Sequence, residues 1–368
     1  MGALRFVLAF SVLNIHAKIF GRILIGGDTA VQMFFIISGF YMAMVLNEKY
    51  VPDRATNLDF WKSRVLRIFP AYYTVLLITV FAAGAYALIA GRYWQPIDAW
   101  NHLPAGGPGI GQLIFLAAPQ LMLLGLDVSN FVASGGQNEL IFTANFWQGD
   151  FPVWRTLFVP QAWTLSLELY FYLLAPFLVR RSLLVLVSIL LASFFLRILA
   201  AVLFGYRVDP WSYRFFPFEL LFFLSGVLAY RLAKLHEEWS ASKIAGLRCS
   251  VAILIFCAAA VGRFGVPGQS FVLAPGLLAL LFLGISELFE LTKSSRADRL
   301  LGELSYPLYV CHVLVVWMVS IILSPEGRWT GIVVALLSVG VAAVIYCFID
   351  RPIDEFRHRR LRAPPPAV

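Results

Sequence analysis

The sequence predicts an all-α polytopic membrane bundle of about ten transmembrane helices. Three observations carry that reading. The chain of 368 residues is 60% hydrophobic and only 14% charged, against roughly 25% charged in soluble domains. Its mean hydropathy is +0.79. The apolar residues fall in runs of about 20, the length that crosses a bilayer as a helix. A soluble enzyme and a disordered protein are excluded.

The ten runs, in order, are 4–25, 29–47, 68–90, 162–179, 182–204, 215–233, 247–262, 270–290, 304–323 and 330–349. The first is not a cleavable leader, because Asn14, His16 and Lys18 interrupt it and no small-residue cleavage site follows. The segment 113–126 contains Pro119 and is too short to span. It reads as re-entrant or interfacial. The polar stretches 92–112 and 127–160 are rich in Gly, Pro, Trp and Asn and read as a lid over an outward cavity.

Ten crossings put both chain ends on one side, and charge selects which. With the first residues cytoplasmic, 20 Lys and Arg lie inside and 8 outside. Cytoplasmic loops carry such an excess, so both ends are expected in the cytoplasm. Residues 1–352 then form one membrane domain. Residues 353–368 form a basic cytoplasmic tail, disordered at its end (Ala363 to Val368).

Ionisable residues within spans are costly and mark functional sites. Arg5 and His16 lie eleven positions apart, so they share one helix face about 16 Å apart along the axis. Arg5 falls near the cytoplasmic end and His16 about halfway across. Desolvation favours the neutral imidazole that a general base needs; the plainer reading is a histidine bonded to a neighbouring helix. Arg64 and Arg67, at i and i+3 before Ile68, present two guanidiniums suited to phosphate. Juxtamembrane arginines also simply hold topology or touch anionic lipid. Glu168 sits inside the fourth run with Tyr172 one turn on and calls for a partner on another helix. Ser305, Tyr309 and His312 fall at i, i+4 and i+7 and form one stripe, either lining the bundle or catalytic. Four cysteines and five histidines are scattered without metal-ligand spacing. No metal is expected, and nothing points to nucleic acid.

In order along the chain stand Arg5-x10-His16, then FFIISGF with Ser38. Arg64-x-x-Arg67 precedes Ile68-Phe69-Pro70, and AWTLSLELYFYLLAP holds Trp163, Glu168 and Tyr172. GELSYPLYVCH runs from Gly302 to His312, and Asp350-Arg351-Pro352 follows. Taken together, these six segments resemble the acyltransferase-3 family of bacterial integral membrane O-acyltransferases, which modify polysaccharides, lipopolysaccharide and exopolysaccharide. Two departures stand out. Ala30-Val31-Gln32 replaces a usual Gly-Val-Asp, and Leu169 replaces a second glutamate, so Glu168 alone carries over.

The resemblance implies an acyl-CoA donor (acetyl-CoA first among them) on the cytoplasmic side of a bacterial inner membrane, and a saccharide acceptor reached from outside. It implies His16, Arg5 and Glu168 as catalytic residues, with Arg64 and Arg67 on the donor phosphates. Ser38, Trp163, Tyr172, Tyr309 and His312 would line the site. Direct attack by the acceptor hydroxyl and an acyl-histidine intermediate both fit. The bundle acts alone or hands the acyl group to a separate periplasmic transferase, with membrane lipid as a further partner. Two other functions fit the residues. One is an acyltransferase for a lipid, peptide or small natural product. The other is a transporter or flippase of a lipid-linked sugar, against which no paired broken spans occur in two halves.

Overall fold

A backbone inside lipid must satisfy its own hydrogen bonds, so apolar runs of this length fold as helices. The computed structural model describes residues 1–19, 25–51, 55–91, 93–100, 109–134, 140–146, 151–235, 240–263, 272–324 and 329–362. Each of the ten predicted runs holds a helix. They are α1 (Gly2–Ala17), α2 (Gly27–Glu48), α3 (Asn57–Ala90), α6 (Trp163–Leu178), α7 (Leu183–Phe204), α8 (Phe216–Lys234), α9 (Ala241–Val261), α10 (Leu273–Thr292), α11 (Arg296–Ile322) and α12 (Thr330–Ile345). The one-turn α4 (Ile97–Trp100), α5 (Ile110–Met122) and α13 (Arg351–Arg362) complete the described helices. Among the described residues eight helices are long and apolar enough to cross a membrane; α1 and α6, with 16 residues each, are shorter. In one of the eight, α12 continues through a π-helical turn at Tyr346–Asp350 into α13.

α1 departs from expectation. It stops at Ala17, not 25, because Lys18 takes the left-handed conformation (φ 50°) and returns its N–H to Asn14 O at 2.9 Å. That geometry terminates helices. His16 therefore stands in the last turn of a short helix and not halfway along a continuous one. α5 has 13 residues and ends at Leu123, also left-handed at φ 60°. Tyr72 on α3 donates to Gln120 O at 2.5 Å, and Gln120 accepts from Phe158 N at 2.8 Å. This ties α5 to the bundle edge as a segment shorter than a span.

Helix directions follow from contacts at their ends. Asp298 at the start of α11 accepts from the amides of Gly2 (2.8 Å) and Ala3 (2.9 Å), so it caps α1 from another helix. At the other end His16 meets His312, so α1 and α11 run parallel. α2 and α8 also run parallel, with Gln32 near Glu219 at their starts and Glu48 near Tyr230 at their ends. α12 runs back, from Gly331 beside Ala17 to Tyr346, which hydrogen-bonds Glu303. α13 ends beside α3, where Arg67 meets Asp354. Gly2 and α13 thus lie at one end of the bundle, as an even number of crossings requires.

The α2–α8 crossing depends on missing side chains. A Cβ on Gly39 would fall 1.9 Å from Phe223 O, and one on Gly226 1.9 Å from Ile36 O. Small residues at such crossings let backbones approach where hydrophobic driving force between helices is weak. At the starts of these two helices lies a buried ionic chain. Arg197 meets Glu219 at 2.8 Å, Gln32 bonds Glu219 at 3.3 Å, and Arg263 meets Asp28 at 2.6 Å. Arg263, just after the end of α9, is 3% exposed at its side chain.

The loop region after α5 carries a small antiparallel sheet of Val132–Ser134, Leu140–Phe142 and Phe151–Pro152. Its tryptophans are used in packing. Trp94 lies against Tyr86 and Trp317, and Trp100 donates to Thr156 O at 2.9 Å. Trp147 lies outside the described residues. Of the expected tail, 353–362 is helical, and Arg357 reaches Ser63 O at 3.4 Å. Residues 363–368 lie outside the described residues.

Candidate functional site

Two adjoining cavities enter the bundle from the α13 end. The first holds about 690 Å³ of empty space among Arg5, Tyr41, Arg64, Arg67, Glu168 and Tyr172. The second, about 570 Å³, is walled by Arg5, Phe34, Ser38, Thr164, Glu168 and Tyr309. Arg5, Glu168 and Tyr306 belong to both, so they mark the neck between them. The Arg5 side chain makes no hydrogen bond or ion pair to the described residues and lines both cavities. Its electrostatic neighbours there include Glu168, Tyr172 and Arg67.

Glu168 is anchored from two helices. Ser38 on α2 donates to its Oε1 at 3.0 Å, and Tyr172, one turn along α6, donates to the same oxygen. The i, i+4 spacing in α6 brings Tyr172 over its own carboxylate. A half-buried carboxylate gains from such donors or a cation, and here it has both types nearby.

The two arginines at the mouth differ. Arg64 lies over the Phe60 ring at 5.6 Å and the Tyr172 ring at 5.9 Å. Its Nη2 meets Ser63 Oγ at 3.3 Å, while its buried Nε has no hydrogen-bond partner among the described residues. Arg67 lies 3.5 Å from Asp354, which also holds Arg357 at 2.8 Å. Arg64 is held by aromatic faces and Arg67 by a carboxylate.

Beyond Tyr309 the two imidazoles come together. The rings of His16 and His312 are 5.2 Å apart, inclined at 39°. His312 is 0% exposed, whereas His16 is exposed; neither lines either of the two cavities. His312 Nδ1 lies 2.6 Å from Tyr309 O. A carbonyl only accepts, so Nδ1 carries the proton and the lone pair is on Nε2. Tyr309 is itself fixed by Thr164 Oγ1 at 2.9 Å and Gln161 O at 3.2 Å.

Trp163 lies apart from both cavities. It packs on Tyr213 at 5.3 Å and under the Arg214 guanidinium at 4.5 Å. Arg214 is gripped by Asp209 at 2.6 and 3.1 Å and meets Asn130 at 3.1 Å. Arg214 of this cluster is within electrostatic reach of His16. Sequence reasoning missed Thr164, Tyr306 and Tyr41 as cavity residues and Arg214 as a staple. The phrase YRVDPWSYR was the available signal, since two arginines and an aspartate among aromatics between two spans invite a folded ion pair. Among the described residues no group of three or more His, Cys, Asp or Glu could hold a metal.

A family model for an acyltransferase domain, Acyl_transf_3, matches residues 1–349, which include every residue named at the two cavities except those of α13. The exopolysaccharide production protein ExoZ of Rhizobium meliloti (strain 1021) is 26% identical over 356 residues, 92% of this chain and 93% of its own length. Protein 2 in picA locus of Rhizobium radiobacter is 31% identical over 152 residues, 39% of this chain and 78% of its own. An uncharacterized protein of Aquifex aeolicus (strain VF5) is 27% identical over 210 residues, 55% of this chain and 91% of its own. No solved structure matches the chain.

Proposed function

The chain belongs to the Acyl_transf_3 family of acyltransferases, and on that premise we propose that it O-acylates a sugar hydroxyl of a surface polysaccharide or its lipid-linked precursor. The donor is cytoplasmic acyl-CoA, with acetyl as the transferred group, and the site is the bacterial cytoplasmic membrane. The observation that carries this reading is the cavity lined by Arg5, Arg64, Arg67 and Glu168. The cavity next to it ends at Tyr309, whose ring lies 5.8 Å from that of His312; His16 and His312 themselves line neither cavity. Similarity to an exopolysaccharide production protein over 92% of the chain favours a polymer acceptor.

Acyl-CoA enters as a substrate. Arg5, Arg64 and Arg67 suit its phosphates, and the unpartnered Arg64 Nε is a donor awaiting an acceptor. The slender pantetheine arm would pass Arg5 and Glu168 into the second cavity. His16 takes the proton of the acceptor hydroxyl as that oxygen forms a bond to the thioester carbonyl carbon. The C–S bond breaks, and the departing thiolate takes the proton from the imidazolium. The products are the ester and free CoA. The charge excess favours both chain ends in the cytoplasm; reporters fused at residues 140 and 240 should read outside and inside.

The deciding experiment uses purified protein in nanodiscs with labelled acetyl-CoA and acceptor oligosaccharide. Thiol release should depend on acceptor and vanish in His16→Ala, with acyl-CoA binding retained. Surface glycans from cells lacking the gene should lose the acyl mass. Equal thiol release from His16→Ala, or unchanged glycans, overturns the reading. A transporter would release no CoA.

A further inference from the structure

Behind Tyr309, which walls the second cavity, stands one buried polar atom that the proposed chemistry does not use. His312 Nε2 is fully buried, carries a lone pair because Nδ1 is committed to Tyr309 O, and has no hydrogen-bond partner among the described residues. An unsatisfied acceptor in such a place is costly. The ring beside it is His16. The ring centroids are 5.2 Å apart and the planes inclined at 39°, close to the roughly 5 Å of two imidazoles joined by an N–H···N bond, although no hydrogen bond joins the two rings in this structure.

We infer that His16 and His312 form a functional dyad, in which His312 Nε2 accepts a ring N–H of His16 and thereby fixes the His16 tautomer. The inference rests on His16 as the base proposed above and gives His312 the part of a positioning residue. One nitrogen of His16 is then occupied, and the lone pair stands on the other. The remaining links already exist. His312 is held by Tyr309 O, and the Tyr309 hydroxyl by Thr164 and Gln161 on the α6 side. Three helical segments thus determine how one imidazole is protonated. In soluble hydrolases a carboxylate plays the orienting part. Within a bilayer a lone carboxylate is costly, and a neutral imidazole locked as the Nδ1–H tautomer supplies the same acceptor without a charge.

Two readouts test this. In ¹⁵N-histidine protein in nanodiscs, with His16→Gln used for assignment, NMR should show His312 protonated at Nδ1 and His16 as a single tautomer. His312→Phe keeps a ring but removes the acceptor, and His16 should then become a tautomer mixture. In turnover assays His312→Phe should lower kcat about 10- to 100-fold, the range for lost orienting partners, with donor KM within twofold. His312→Gln, whose amide oxygen reaches the Nε2 position, should recover most of kcat. A His16 tautomer unchanged in His312→Phe, or unchanged kcat, overturns the dyad. If His312→Phe does not fold, His312→Gln carries the same test, and loss of the single His16 tautomer there overturns it. If the wild type transfers no acyl group, the proposed function fails while the tautomer measurement still decides the dyad.

Discussion

Arg67 on α3 and Asp354 on α13 lie 3.5 Å apart, so one cation of the proposed donor site already has an anion. A donor phosphate arriving at Arg67 must compete with that carboxylate. Asp354→Asn should therefore tighten acyl-CoA binding several-fold, with kcat unchanged. The pair is partly exposed, and such pairs contribute about 0–1 kcal/mol, which limits the gain to roughly fivefold. Calorimetry with CoA measures it. Weaker binding in the variant would mean that Asp354 supports the site and does not compete for it.

Arg64 and Arg67 should respond differently to lysine. Either alanine variant loses a charge-assisted contact, about 1.5–3 kcal/mol, or roughly 10- to 150-fold in donor affinity. Arg67→Lys keeps a point charge near Asp354 and should recover part of this. Arg64→Lys also loses the planar packing over Phe60 and Tyr172, which lysine reproduces poorly. Arg64→Lys should thus remain the weaker binder. Equal affinities for the two lysine variants would remove the aromatic seat from the account.

Gly39 tests the frame of the site. Its missing Cβ would meet Phe223 O at 1.9 Å, a backbone atom that cannot rotate away. Gly39→Ala should drive α2 from α8, displace Ser38 from Glu168, and cost about 1–3 kcal/mol or more, as overpacking does. Gly84→Ala on α3 is the control, because nothing lies within 4 Å of its Cβ position. Thermal unfolding in detergent should separate the two. Equal midpoints would show that the crossing relaxes freely.

The helices were legible because each is written in one continuous stretch of sequence, and runs of apolar residues report length directly. Arg5, Glu168, Ser38, Arg64 and Arg67 stood out in the sequence for a related reason: unusual polarity in an apolar run is conspicuous, and the structure brings these residues together at the two cavities. Tertiary partners were not legible. Nothing in the sequence pairs Arg197 with Glu219, Arg263 with Asp28, or Arg67 with Asp354, since each pairing depends on which helices become neighbours. The end of α1 was misread because the run after Ala17 stays apolar enough to continue. The left-handed turn at Lys18 is a backbone choice that hydropathy does not record. His16 and His312 stood on separate stripes in the sequence; only the parallel packing of α1 on α11 brings them into one pair.

Asp127, in the turn region after α5, gives a pH-dependent prediction. Its carboxyl is pushed up to about 6 by burial, against a hydrogen bond from Tyr170 OH (2.9 Å) that pulls it down. The Tyr170 hydroxyl in turn accepts from Gly125 N at 2.9 Å, so its one proton is committed to Asp127. The unfolded carboxyl titrates near 3.8. Between these values the folded state holds a proton that the unfolded state has released. Stability therefore falls as pH rises from about 4 to about 6 and is level beyond either end. At about 1.4 kcal/mol per unit, the full window is worth roughly 3 kcal/mol. Asp127→Asn keeps an acceptor for Tyr170 and has nothing to ionise. Its unfolding midpoint should match the wild type at pH 4 and exceed it at pH 7. Subtracting one protein from the other cancels every other titrating group. A difference that does not change between pH 4 and pH 7 would place Asp127 in contact with water and end the argument.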